Sequence, residues 1–480
     1  MNAEIEESIE YDEDDGEITT TTSGATKTTD KTWIENIEKK REDQQDLLND
    51  FYAKKPQYFI DFLKSNNIPL DSYNIKDLPR FIRLKSLSDS LNQSLLAEIE
   101  NQLKTKLVKI HWLPGFYKLQ DSSVSISSSK AYKDGLIYGM DASSGAAILA
   151  LDPKPGDNIL DICCAPGTKL CMISDLMNGQ GSLTGVDISR PRLGICKTLL
   201  NKYKIPNIRL FLCDGTAFNI KAPNPNDSIP LEILEKGKEL KRIKLDKKCK
   251  EKKEQQELND EDNENEKDKE NNIKPLETST TNNNNNNNTD IIDLKRKQQH
   301  YKSKKPLKKR LIDLEDLFYC KTFYMRHSNS QLYDKVIVDA ECSLDASVRH
   351  LINYSKMGRH MVPEEFKKLT DLQKLLIQNG FNLLKEGGHI VYSTCSFCKE
   401  QNEDVVQWLL DNNPNAKLIP SFNNTTSIVE QDNNMSLSMD QLYNSETVPF
   451  STGFIENTYR FYPKNGTSGM FISKIQKIKL

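Results

Sequence analysis

The chain has 480 residues, a net charge of −3, ten cysteines and six histidines. That length predicts two or three domains, and a mean hydropathy of −0.64 predicts that part of the chain does not fold. The charge balance gives no global sign of nucleic-acid binding; cysteines without regular spacing exclude a disulfide framework, and the apolar runs are too short to cross a bilayer.

Residues 1–30 are acidic and then Thr-rich, and read as a disordered tail. The opening "MNAEIEESIEYDEDDGEI" carries nine carboxylates and no Lys or Arg, unlike a secretory or mitochondrial presequence. Residues 31–135 read as an N-terminal α+β module: "RFIRLK" (80–85) alternates like a strand, "SLLAEIENQLKTKL" (94–107) has helical spacing, and "VKIHWLPGFYKL" (108–119) is extended. Arg80, Arg83, Lys85 and Lys118 suit RNA phosphates there, and equally suit solvated charge on a small domain.

From 136 to 221 strands and helices alternate: "NILDICC" (158–164), "TKLCMISDLM" (168–177), "SLTGVDI" (182–188), "RLGICKTLLNKYK" (192–204) and "IRLFLCD" (208–214). Such alternation predicts βαβ units and a parallel sheet covered on both faces. Residues 222–330, with "KGKELKRIKLDKKCKEKKE" and seven consecutive Asn (282–288), lack a periodic apolar face and read as a long disordered insertion. Its basic runs are nuclear-localisation or RNA-tethering patches, or solvated filler. The sheet resumes in 331–480 with "DKVIVDA" (334–340), a helix bearing Phe366, Leu369, Leu372 and Leu376, "GHIVYST" (388–394), "EDVVQWLLD" (403–411), and a hairpin of "TYRFYP" and "GMFISKI".

"LDICCAPGTK" runs from a strand through a Pro-Gly turn into a helix, the place where an open α/β sheet binds ligands. No G-x-G-x-x-G is present, so a dinucleotide is not the obvious guest. Asp187 ends the next strand, where an acid accepts from ribose hydroxyls, and Asp214 ends the third, where it accepts from an adenine amino group. This points to S-adenosyl-L-methionine held by the turn Cys163, Cys164, Ala165, Pro166, Gly167, Thr168 and Lys169. The alternative is that Asp187 and Asp214 only cap the following helices.

"VDAECS" and "STCS" each put a cysteine, Cys342 and Cys395, just past a strand. In order with "DASSGAAILALDPKPGDNILDICCAPGTK", "GVDIS", "CDG" and "RFYPKNGTSGMFIS", they make the chain resemble the RNA cytosine-5 methyltransferases of the Nol1/Nop2/Sun (RsmB/NOP) class from about residue 80 onward. The resemblance implies a class I, Rossmann-like methyltransferase sheet with an N-terminal RNA-binding module. It implies methyl transfer to C5 of cytosine in tRNA or rRNA. By the same resemblance Cys395 is the nucleophile and Cys342 the thiol that serves release. Asp339 then holds the ring and approaches the cofactor methyl, and Lys169 orients or compensates charge. Carbon 5 of cytosine is a poor nucleophile until a thiolate adds at carbon 6, which is why such chemistry needs a cysteine. Two positions depart from the family: Glu341 stands where proline is usual, followed by "SLDAS" in place of a Gly-containing segment, and Thr168 stands where a second glycine is usual.

Other readings stay open beside this one. Cys395 and Cys398 form a C-x-x-C, half of a zinc site or a redox pair, but no second such motif accompanies it and no metal is expected. Cys163, Cys164, Cys171, Cys196 and Cys213 have side chains suited to the core. A ribosome-assembly factor that keeps the fold without catalysis is an alternative, as is a methyltransferase for protein or small molecules, which would leave the paired cysteines unexplained. The expected partner is RNA, the expected state a monomer without membrane attachment, and the expected location the nucleus, nucleolus or cytoplasm rather than the exterior.

Overall fold

The structure, a computed structural model, describes residues 8–11, 18–21, 57–73, 79–85, 89–227, 316–322, 324–348, 363–422 and 448–480. Within the expected acidic tail, β1 (Ser8–Tyr11) and β2 (Ile18–Thr21) pair antiparallel as a sheet of their own.

A second sheet is antiparallel and four-stranded, in the order β4 (Leu107–Lys109), β5 (Phe116–Leu119), β3 (Phe81–Leu84), β6 (Ile137–Gly139). Helices α1 (Gln57–Ser65), α2 (Asp89–Leu103) and α3 (Lys130–Lys133) belong to the same stretch of chain. The strand, helix and strand read from 80 to 119 are all present, but Arg80, Arg83 and Lys85 are turned to partners within the protein rather than offered as a free RNA-binding face. Arg80 and Arg83 are buried. Arg83 Nη1 lies 2.7 Å from Asp175 Oδ2, Arg80 Nη1 donates to Val124 O, and the Lys85 amine donates to Tyr203 O. These contacts, with the Tyr138 and Tyr203 rings 4.0 Å apart, fasten the small sheet to the large one.

The large sheet runs β10 (Leu317–Cys320), β9 (Ile208–Leu212), β8 (Ser182–Asp187), β7 (Asn158–Ile162), β11 (Tyr333–Asp339), β12 (Leu384–Thr394), β16 (Met470–Lys477), β15 (Thr458–Phe461), β14 (Phe450–Thr452), with β13 (Ala416–Ile419) also on β16. Strands β9, β8, β7, β11 and β12 are mutually parallel, and β10 and β16 close the parallel layer antiparallel. This is the Rossmann-like sheet expected from the alternation. The order in which strands are added reverses at β7, whose neighbours are β8 on one side and β11 on the other, and such a switch point opens a crevice at the strand carboxyl ends.

Helices α4 (Ala142–Leu151), α5 (Thr168–Leu176) and α6 (Arg190–Lys202) cover one face; α7 (Pro363–Leu383) and α8 (Glu403–Asn412) cover the other. Alternate residues of β7 serve the two cores: Ile159 joins the α4–α6 side, Leu160 and Ile162 the α7–α8 side. The expected insertion lies for most of its length outside the described residues, but both of its edges join the sheet. Ala222 bridges Gln331, β10 pairs β9, and the buried Arg209 donates to Met325 O and Ser328 O at 3.0 and 2.9 Å.

Candidate active site

Five parallel strands deliver their carboxyl ends to one cavity of about 820 Å3. All the residues expected from the sequence line it (Cys163, Cys164, Ala165, Pro166, Gly167, Lys169, Asp187, Asp214, Asp339, Cys342 and Cys395) except Thr168, which is buried in the first turn of α5. The turn after β7 is tight: Cys163 has φ 69 and Gly167 has φ 111. Its φ favours glycine at Gly167, and a Cβ there would crowd α6, standing 3.2 Å from Cys196 Sγ.

The strand-end acids do two jobs. Asp187 Oδ1 accepts from Ser189 N at 2.8 Å, and its Oδ2 accepts from Ala165 N at 3.2 Å, tying β8 to the turn. Asp214 Oδ1 accepts from Thr216 N and Oγ1. Local turn capping is therefore real for both, and both still line the cavity. Across the switch point, Asp339 is held from two sides: Ser393 Oγ donates to Oδ1 at 2.7 Å, and Lys169 Nζ lies 2.9 Å from Oδ2 while also reaching Ser144 Oγ at 3.3 Å.

The two thiols meet because their strands do. Asp339 on β11 pairs with Ser393 on β12, Ala340 N donates to Ser393 O, and Ala346 N returns to Cys395 O. The result is a Cys342 Sγ to Cys395 Sγ separation of 3.2 Å. A buried polar network fixes the loops: Asp345 accepts from Phe397 N, Gln401 bonds Ser343, and Gln373 Nε2 donates to Glu341 O at 2.8 Å. Phe59 and Tyr73 pack behind them on Ala346, Phe397 and Cys398. The hydrogen bond to Cys342, and then burial, push the Cys395 thiol well up from its ordinary value. Cys398 turns to Asp345 instead, with Sγ 3.9 Å from Oδ1. Among the described residues no group of three or more His, Cys, Asp and Glu could hold a metal ion.

At the departures from the family pattern, Glu341 is exposed at the cavity and anchored through its carbonyl. Leu344 takes φ 59, a left-handed conformation that costs a side-chain-bearing residue about 1–2 kcal/mol. The segment "SLDAS" thus keeps a turn suited to glycine without having one.

The sequence reading missed Asp161, which is buried, lines the cavity, and has no hydrogen-bond partner on either carboxylate oxygen. An acid inside the apolar run "NILDICC" was its available signal. It also missed Ser144 and Ser393, which only the tertiary structure brings to Lys169 and Asp339. A cavity of this size, with acids at the ends of β8 and β9, an unsatisfied buried carboxylate and a lysine over the switch point, fits S-adenosyl-L-methionine, which carries a ribose, an adenine amine and two cationic groups.

Comparison with known proteins agrees. Residues 148–261 and 278–476 match the family described as 16S rRNA methyltransferase RsmB/F. Ribosomal RNA small subunit methyltransferase F of Escherichia coli O9:H4 (strain HS) is 21% identical over 367 residues, 75% of this chain and 51% of that protein. Its counterpart in Escherichia coli (strain K12) is 22% identical over the same shares. The chain thus spans about half the length of these curated relatives. The crystal structure of NSun6 from Pyrococcus horikoshii with SFG has the same fold, with a TM-score of 0.52 at 15% identity, covering 88% of this chain and 97% of that one. No helix among the described residues is long and apolar enough to cross a membrane. The chain belongs to the RsmB/F methyltransferase family, with S-adenosyl-L-methionine as its cofactor.

Proposed function

We propose that this protein methylates carbon 5 of a cytosine in RNA through a covalent bond between Cys395 and the base. The observation that carries the reading is the pair of thiols 3.2 Å apart, with Asp339 and Lys169 in the same cavity. A methyltransferase acting on nitrogen or oxygen needs no thiol, and certainly not two. When bound, S-adenosyl-L-methionine supplies the methyl group as a sulfonium.

The chain's own residues divide the remaining work. Cys395, once deprotonated, adds to carbon 6 of the ring and makes carbon 5 nucleophilic. Asp339, fixed by Ser393 and Lys169, holds the edge of the ring as charge develops. Cys342 serves the return: the proton on carbon 5 passes to solvent, the electrons of that bond re-form the carbon 5–carbon 6 double bond, and Cys395 leaves carbon 6 as a thiolate, releasing the base. The target must be unstacked to enter, so a loop, a bulge or a flipped nucleotide is the substrate form. The names of the relatives favour ribosomal RNA over transfer RNA. Bisulfite sequencing of total RNA, from cells with and without the gene, tests the reading: one or a few cytosines should lose protection when the gene is absent. Unchanged cytosine protection throughout ribosomal and transfer RNA would contradict it.

A further inference from the structure

Cys395 and Cys398 stand in a C-x-x-C spacing, yet the fold turns them to different surroundings. Cys398 is fully buried with its Sγ 3.9 Å from Asp345 Oδ1, and it does not line the cavity. Cys395 is half-buried, lines the cavity, and has its Sγ 3.2 Å from that of Cys342, which lines the same cavity. The thiol partner that the spacing offers is thus replaced by one 53 residues away.

A disulfide joins its sulfurs at about 2.0 Å, so roughly 1.2 Å of approach separates this pair from a bond. Both thiols sit on loops beyond the ends of β11 and β12, and Ala346 N, donating to Cys395 O at 3.0 Å, already holds the loops together. Closure therefore leaves the strand register as it is. A cavity of about 820 Å3 admits a hydroperoxide, and the half-buried Cys395 meets it first. Cys164 and Cys196 also share a hydrogen bond, but both are buried where the cofactor turn meets α6.

We propose that Cys342 and Cys395 are a modification site, joined into a reversible disulfide by hydroperoxide, which switches methyl transfer off; the switch rests on the reading that Cys395 attacks the base. The Cys395 thiolate attacks one peroxide oxygen, the O–O bond breaks, and a sulfenic acid forms as hydroxide leaves. Cys342 then attacks that sulfur and displaces the second oxygen as water. Two thiols and one hydrogen peroxide give one disulfide and two waters: the sulfurs lose two electrons, which the broken O–O bond takes with the two thiol protons. The bond consumes the nucleophile and the release thiol together and leaves the acids at the ends of β8 and β9 untouched. Small thiols reverse it by exchange. With Cys398 turned to Asp345, Cys342 is the resolving thiol. Without Cys342 the sulfenic acid of Cys395 goes on to sulfinic acid, which such thiols do not reverse.

The test treats wild type, Cys398→Ser and Cys342→Ala with hydrogen peroxide and maps their cysteines by mass spectrometry without reduction. Methyl transfer is read on total RNA from cells lacking the gene, and S-adenosyl-L-methionine binding by calorimetry. Peroxide should join the wild-type peptides that carry Cys342 and Cys395. It should lower methyl transfer about 10-fold or more, restored by dithiothreitol, with cofactor affinity held within about threefold. Cys398→Ser should behave as wild type. Cys342→Ala should show no joined peptides and should carry Cys395 as a sulfinic acid that dithiothreitol does not reverse. A bond from Cys395 to Cys398 or to any other cysteine would overturn the assignment, as would a Cys164–Cys196 bond accompanied by lost cofactor affinity. Untreated wild type that transfers no methyl group takes down the function reading and the switch with it. Active wild type whose Cys342 and Cys395 stay free thiols in peroxide removes the switch alone.

Discussion

Cys342 Sγ lies 3.2 Å from Cys395 Sγ, one thiol past the end of β11 and the other past the end of β12. Adjacent parallel strands impose that proximity, and it has an electrostatic consequence: the two sulfurs cannot both carry charge at such a distance without a large repulsion.

The first prediction concerns pH. Cys395 is held protonated by its hydrogen bond to Cys342 and then by burial. A raised thiol pKa lowers the thiolate fraction at neutral pH, so formation of the Cys395–base bond should accelerate as pH rises from neutral into the alkaline range. Cys342→Ala removes the largest cause of the shift. Its rate of adduct formation, followed by quenched single-turnover assays, should reach half its maximum at a lower pH than that of wild type. Identical profiles would show that Cys342 does not control the nucleophile.

His389 on β12 gives a prediction about stability. Its Nε2 lies 2.7 Å from Leu151 O, and because a carbonyl only accepts, that nitrogen carries the proton. Burial, aided by Lys474, lowers its pKa from 6.5 to about 4. The folded protein therefore prefers the neutral ring while the unfolded chain titrates near 6.5. The stability that the neutral ring contributes is complete above pH 6.5 and is lost as pH falls from 6.5 to 4, because the unfolded state binds more protons in that window. The loss amounts to about 3 kcal/mol at most. His389→Gln, which can still donate to Leu151 O, should flatten the urea-midpoint curve across that window. An unchanged curve would assign the acid sensitivity elsewhere.

The edges of the expected insertion give a third. Joining residue 227 to residue 312 through a short Gly/Ser linker should leave the cavity and its cofactor affinity intact. Joining 221 to 331 should not, because it deletes β10 together with Met325 and Ser328, whose carbonyls receive the buried Arg209 guanidinium. Leaving Nη1 of that guanidinium without acceptors, while Nε keeps Thr184 Oγ1 and Nη2 keeps Lys221 O, should cost about 1–3 kcal/mol, read as a lowered melting temperature. Equal melting temperatures for the two variants would show that these contacts contribute little.

The parallel sheet and its cavity edge were legible because they depend on local pattern. "NILDICC", "SLTGVDI" and "DKVIVDA" are apolar runs ending in acids or cysteines, and the structure places those ends at one cavity. What stayed hidden depends on partners distant in the chain. Arg83 reads as surface charge until Asp175, 92 residues later, receives it in a buried pair. Strands β10, β13 and β14 are three or four residues long and are set by their neighbours rather than by their own periodicity. Residues 57–73 read only as part of the N-terminal module, yet Phe59 and Tyr73 brace the loops that carry Cys342 and Cys395. Asp161 was visible as a residue, but its significance lies in the donor it lacks, which only the folded arrangement shows.

The central claim is that the two thiols act in sequence on one base. Its most direct measurement is a denaturing gel of Cys342→Ala and Cys395→Ala, each incubated with substrate RNA and S-adenosyl-L-methionine. Both substitutions remove only a small side chain, so cofactor binding by each variant should survive and can be checked separately. Cys342→Ala should still attack and methylate the ring but fail to release it, giving a protein–RNA band shifted upward that disappears on nuclease treatment. Cys395→Ala should give no such band and no methylation. A trapped band from Cys395→Ala would exchange the roles, and full activity in both variants with no adduct from either would contradict thiol catalysis in this protein.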